Sequence, residues 1–240
     1  RRLGLGTFCL EIKSMADYKL QDDFLRIFFS ESFAPDFYLT GGTALSRFYL
    51  NHRLSDDIDL FTQNQQIDFS HVNSLVLRIL DKLKLKIIKQ VNTDTFLQYI
   101  TEDKRSLASQ GHGKNGNTLK IDFVKEIPVH FGEFKMVGKT RIDSLENIGS
   151  NKVLTIFGRR DAKDFIDLYF ILQKTKLEFD YFYNLAIQKD LGLSEFYLAN
   201  SMRQIEDISI YPKMLVKLDK NKLIKFYSEL AEKLILKVKP

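Results

Sequence analysis

The sequence predicts an α+β fold, with a mixed sheet and flanking helices over residues 17–143 and a helical region over 144–240. Three observations carry this reading. Short runs with period-two alternation recur in the first half, and helical spacing takes over near Leu145. Between two of the short runs, Gly41-Gly42 opens a helix and Asp57-Ile58-Asp59 follows it.

Taken in order, residues 17–33 place Leu20, Phe24, Ile27 and Phe28 at helical spacing. Residues 37–40 read as a short buried strand, 43–50 as a helix beginning at the glycine pair, and 57–62 as a second strand. Val72, Leu75, Val76, Ile79, Leu80 and Leu83 form the apolar stripe of an amphipathic helix over 71–84. Strands are expected at 85–91, 95–101 and 119–125, the last two joined through a glycine-rich loop at 109–117 with His112 near its tip. Beyond Leu145, helices are expected at 146–157, 162–174, 181–189, 195–207 and 220–237, with Pro212 breaking between the last two.

A chain of 240 residues accommodates one elaborated domain or two small ones. Its net charge of +5 is compatible with a nucleic-acid partner and does not demand one. The single cysteine, Cys9, excludes an intramolecular disulfide and a cysteine-based zinc site, and a reducing, cytoplasmic setting is expected. No apolar run approaches the roughly 18 residues of a membrane-spanning helix. Residues 1–14 lack the apolar core of a signal peptide, Met15 is a candidate natural start, and the segment before it is set aside.

The chemistry begins at Gly41, Gly42 and Thr43. Two glycines let backbone approach a phosphate, and the helix that follows offers free N–H groups. Asp57 and Asp59, two apart on a strand, project from one face and suit a hard cation such as Mg²⁺. Alone, an Asp-x-Asp more often caps a turn; the upstream glycine pair changes its meaning. Lys120 and Asp122 share a face of their strand, so Asp122 is a candidate third carboxylate, as metal ligand or base. A cross-strand ion pair is the structural alternative. A third cluster holds Lys152, Arg159, Lys163, Asp164 and Asp167. Lys152 suits a triphosphate as a point charge, and Arg159 suits paired phosphate contacts. Lys163 and Asp167, four apart, also fit a plain surface pair. His52 is expected to help position the aspartate strand.

Gly41-Gly42-Thr43-Ala44-Leu45, Arg53-x-Ser55-x-Asp57-Ile58-Asp59-Leu60-Phe61, Lys120-x-Asp122, Lys152 and Arg159-x-x-x-Lys163-Asp164-x-x-Asp167-Leu168 together resemble the AbiEii/AbiGii-type abortive-infection toxins. These are nucleotidyltransferases of the DNA polymerase beta-like superfamily, and the resemblance covers about residues 38–172. It implies a polymerase-beta-like mixed sheet whose helical C-terminal region completes the active site. The implied enzyme is a cytosolic bacterial toxin that moves a nucleoside monophosphate from an NTP to an acceptor hydroxyl, with tRNA the acceptor for some relatives and a cognate antitoxin the usual silencer. By resemblance, Gly41, Gly42 and Thr43 form the phosphate loop, with Arg53 and Ser55 beside it. Asp57 and Asp59 hold Mg²⁺, Lys152 binds triphosphate, and Asp164 is an essential acid or an organiser of Lys152. Thr155 stands where relatives often carry Ala.

The acceptor divides the alternatives. Lysines 213, 217, 220, 222, 225, 233, 237 and 239 fit an RNA surface or merely solvated helix faces. Transfer to a small molecule or a protein hydroxyl, and a non-catalytic nucleotide-binding module, remain the competing expectations.

Overall fold

Alternation of side chains decides the two faces of a seven-stranded mixed sheet. The computed structural model describes residues 18–103 and 118–238; Cys9, Met15, the loop around His112 and Lys239 lie outside them. The strands are β1 (Phe37–Thr40), β2 (Asp57–Thr62), β3 (Leu85–Asn92), β4 (Phe96–Asp103), β5 (Thr118–Lys125), β6 (Lys135–Val137) and β7 (Thr140–Ile142). Their order is β3-β4-β5-β2-β1-β7-β6. β2 and β5 run parallel, whereas β3–β4 and β4–β5 are antiparallel, with a bulge between Ile87 and Lys89.

Two compact units share the chain discontinuously. The first comprises Arg1–Leu39, Asp56–Glu126 and Met136–Arg141; the second comprises Thr40–Ser55, Ile127–Lys135 and Ile142–Pro240. Within the first, helices α1 (Lys19–Phe28) and α3 (Phe69–Lys82) pack on each other, and α3 packs on β3 and β4. The core here is aromatic: Phe28 lies 5.3 Å from Phe123 and 5.6 Å from Phe37, centroid to centroid. Such edge-on and tilted contacts add to the area these rings bury. Ile58, Leu60, Leu97, Tyr99, Ile121 and Phe123 are all fully buried, and their strand neighbours of opposite parity are left half-exposed.

The second unit begins with α2 (Gly41–Leu45), which continues as one π-helical stretch, Ser46–Leu50. Asn51 ends it in the left-handed conformation at φ 47°, donating its N–H to the Ser46 carbonyl at 2.7 Å. Helices α4 (Leu145–Gly158), α5 (Ala162–Lys174), α6 (Phe179–Lys189), α7 (Glu195–Arg203) and α8 (Lys220–Lys237) follow. α4 packs on α5, α6 and α7, and α7 packs on α8. Gly149 makes the α4–α6 approach possible, because a Cβ there would stand 2.2 Å from the Phe182 ring.

Strands 37–40 and 57–62 and helices 162–174 and 220–237 match their expected bounds. Elsewhere caps move the ends. Asp68 accepts from Ser70 N at 2.8 Å, so α3 starts two residues before the expected 71. Ser144 caps α4 through Asn147 N at 3.0 Å. The first helix stops at Phe28 rather than at 33, because the chain turns to pack Phe33 on Phe28 and Phe37. The expected helix 195–207 finishes as a 3-10 turn, Gln204–Asp207. β6 and β7 were not expected at all. Among the described residues no helix is long and apolar enough to cross a membrane.

Candidate active site

In the first unit, the parallel register of β2 and β5 sets Asp57 beside Lys120 and Asp59 beside Asp122. Ile58, Leu60 and Thr62 turn inward, so Asp57 and Asp59 stand together on the opposite, half-exposed face. β4 adds Gln98 beside Asp122, donating Nε2–H to its Oδ1 at 3.0 Å. Lys120 Nζ contacts Asp122 Oδ2 at 2.7 Å. Burial alone would lower the Lys120 pKa, but Asp122, Asp57 and Asp59 outweigh it and raise it. Three carboxylates and one lysine therefore share one patch of sheet. Lys120 is the member that the sequence reading left off its site, although the Lys-x-Asp spacing already placed it there.

These donors fit a hard divalent cation in chemistry: all are oxygen ligands, and Asp57 and Asp59 keep access to solvent. Among the described residues no group of three His, Cys, Asp or Glu side chains could by itself hold a metal ion. Asp122 is instead engaged by Lys120 and Gln98.

In the second unit, Gly41 adopts φ 67°, a conformation open to glycine at little cost. Gly42 is glycine for a different reason. A Cβ there would lie 2.2 Å from Nη2 of Arg53 and 3.1 Å from Oγ of Ser55. Thr43 is fully buried, its hydroxyl 3.4 Å from the Ser55 carbonyl. Thr40, just before the turn, donates its hydroxyl to Asp143, which also accepts from Asn147 Nδ2 at 3.0 Å and meets His130 Nε2 at 2.8 Å.

Arg53 starts a chain of buried charges. Its Nε and Nη2 bind the two oxygens of Asp167 at 2.7 and 2.8 Å. His52 Nε2 lies 2.8 Å from the same carboxylate. Lys152 Nζ bridges Asp167 and Asp164, at 2.7 Å from each. Arg159 closes the series on Asp164 at 2.7 and 3.2 Å, and 59% of its side chain remains exposed. Burial opposes the charges of Arg53, Lys152, Asp164 and Asp167, yet the opposite charges prevail. Asp164 and Asp167 are held below the usual carboxylate range by Lys152 with Arg159 and Arg53, and Lys152 is held above its usual value by the two aspartates. For His52 burial wins, lowering its pKa and leaving the ring neutral. Its Nδ1 has no hydrogen-bond partner among the described residues.

Lys152, expected to meet triphosphate, is thus 6% exposed and shared by two acids, while Arg159 is the cation of the series that faces solvent. Lys163 is exposed, and its backbone N–H caps onto Asp161 at 2.9 Å. Asp143 escaped sequence reasoning because no motif marks it; its one signal is a place just before the Ser144 cap.

The fold has solved counterparts. A Helicobacter pylori crystal structure described as a nucleotidyltransferase superimposes with a TM-score of 0.61 at 19% identity, over 94% of this chain and 96% of that one. JHP933 from Helicobacter pylori gives 0.57 at 18% identity, covering 94% and 93%. MenT4, a nucleotidyltransferase toxin of Mycobacterium tuberculosis H37Rv, gives 0.55 at 9% identity, covering 92% and 83%. No curated protein sequence matches this chain. The fold is thus the one these nucleotidyltransferase structures share. Residues 23–213 match the model of the nucleotidyl transferase AbiEii toxins of type IV toxin–antitoxin systems, and the chain belongs to that family.

Proposed function

We propose that this enzyme transfers a nucleoside monophosphate from an NTP to a hydroxyl of tRNA, using Mg²⁺ held by Asp57 and Asp59. The observation that carries the reading is the pair of aspartates on one open strand face, with Asp122 in register beside Asp59. Because Asp122 is engaged by Lys120 and Gln98, Asp57 and Asp59 would hold the ion together with the substrate's own phosphates. Held there, such an ion would supply charge neutralisation and alignment for the triphosphate.

The chain's residues divide the rest. The acceptor oxygen forms a bond to the α-phosphorus as the bond to pyrophosphate breaks, and the hydroxyl proton passes to a carboxylate, Asp122 in this reading. Gly41, Gly42 and Thr43 supply the phosphate loop, with Arg53 and Ser55 fixing its shape. Arg159, the exposed cation of its series, meets the departing pyrophosphate; Lys152 and Asp164 keep it aimed. The tRNA assignment is supported by exposed lysines 213, 217, 220, 222, 225 and 233 and by the basic balance of the chain. Family membership supports a cognate antitoxin as the regulatory partner.

The test is incubation with each α-labelled NTP, Mg²⁺ and total tRNA, followed by separation of RNA, protein and small molecules. Label in the RNA fraction that disappears with Asp59→Ala supports the proposal. Label confined to protein or small molecules moves the acceptor elsewhere, and no label with any NTP rejects the transferase chemistry.

A further inference from the structure

One surface of the second unit has no part in the phosphate chemistry above. Three partly exposed rings on it each carry a cation: Arg47 lies 5.4 Å from the centroid of Phe48, Lys135 5.3 Å from Tyr49, and Lys189 5.7 Å from Phe131. Two segments distant in sequence supply the first two pairs, the π-helical stretch Ser46–Leu50 and Lys135 at the start of β6.

Hydrogen bonds tie them into one patch. Lys135 Nζ donates to the Phe48 carbonyl at 3.1 Å, and Tyr49 donates its hydroxyl to the Asp143 carbonyl at 2.7 Å. Lys189 Nζ reaches Asn147 Oδ1 at 2.7 Å, and Asn147 in turn binds the Asp143 carboxylate. That carboxylate is fully buried and committed to Thr40, His130 and Asn147. Burial, with the charges of Asp143 and Glu146, pushes the Tyr49 hydroxyl up to about 12, so it stays protonated as a donor. Glu146 is half-exposed, its Oε2 close to Gly132, where a Cβ would stand 2.6 Å from it.

We infer that this patch of Arg47, Lys135 and Lys189 alternating with Phe48, Tyr49 and Phe131 binds an unpaired segment of RNA. Rings receive bases of any identity, because every base has a π-face, and the interleaved cations take the phosphates between them. A protein partner would need acidic side chains interleaved with flat apolar groups, whereas a single strand presents by its nature the bases and phosphates that rings and cations complement. Through Asp143 and Thr40 the patch connects directly to the residue before Gly41, so a strand lying on it is held by the unit that carries the glycine turn. The inference deepens the tRNA reading and rests on it for the origin of the RNA.

The experiment measures fluorescence anisotropy of a short, unstructured, 5′-labelled RNA oligonucleotide with the full chain. Arg47→Gln with Lys135→Gln is expected to weaken binding about tenfold, and to reduce the slope of log K against log salt by about 0.7 for each cation removed. Phe48→Leu is expected to weaken binding several-fold while leaving that slope unchanged, a split that general unfolding does not produce. NTP binding by calorimetry stays at the wild-type value in both variants. Unaltered affinity and salt slope in the double variant overturn the surface even if tRNA is labelled, and so does equal binding of a blunt RNA duplex. Weakened oligonucleotide binding upholds the surface even where no NTP labels any RNA, in which case the transferase reading alone falls.

Discussion

Arg53 and Asp167 meet fork to fork, two guanidinium nitrogens on two carboxylate oxygens at 2.7 and 2.8 Å, with neither side chain more than 1% exposed. Such a pair does little for stability against a well-packed apolar substitute, but breaking it strands a buried charge. Asp167→Asn is therefore expected to cost about 3–5 kcal/mol in urea denaturation. An Asp167→Asn protein as stable as wild type contradicts the pairing.

Gly42 reports on the same pair. The Cβ of Gly42→Ala would enter the space of the Arg53 guanidinium. The substitution should destabilise by about 1–3 kcal/mol, as overpacked interiors do. Because both changes act through Arg53, the Gly42→Ala/Asp167→Asn double variant should lose less than the sum of the singles. Strict additivity in that cycle would separate the turn from the charge series.

Stability should fall on acidification in two stages. His52 has a lowered pKa in the folded chain, so the unfolded chain takes up its proton first, and stability declines as pH drops through about 6.5. Asp164 and Asp167 are also depressed; their contribution is whole above the ordinary carboxylate pKa and is lost as pH falls below about 4. Lys152 is raised, so its contribution holds below about 10.5 and is lost as pH climbs past that value. Denaturant midpoints across pH 3–8 check the acid side, and His52→Gln should erase the first stage only.

Asp57→Ala and Asp59→Ala should each cut nucleotidyl transfer by about two to three orders of magnitude, the scale of losing one preorganised electrostatic contact. Both side chains are half-exposed, so unfolding free energy should stay within about 0.5 kcal/mol of wild type. Residual transfer near wild type in either variant removes these residues from the reaction.

Gly149→Ala tests the helical packing independently. Its Cβ would press on the Phe182 ring, and a loss of about 1–3 kcal/mol is expected, relieved in part by Phe182→Leu. Thermal unfolding of the two single variants and the double decides it.

What the sequence made legible follows from where the physics is local. Ile58, Leu60 and Thr62 alternate with Asp57, Asp59 and Phe61, so the strand, its inward face and its acids could all be read together. β6 and β7 could not: Lys135–Val137 is exposed throughout and three residues long, leaving no buried period to detect. The type of residue at Lys152 suggested a ligand contact, but its two acid partners sit 12 and 15 positions further on and only folding brings them to it. Asp143 draws its partners from Thr40, His130 and Asn147, a set that no spacing rule connects. The family motifs were legible as motifs; the burial of their charges was not.

Tyr227 on α8 donates its hydroxyl to the Phe165 carbonyl at 2.7 Å, and the two rings meet edge to face at 5.0 Å. Phe165 directly follows Asp164, so the backbone under that buried acid rests on a pillar 62 residues further along the chain. Trimming the protein behind residue 219 would knock out that pillar, leaving Asp164 on a helix whose footing had been washed away.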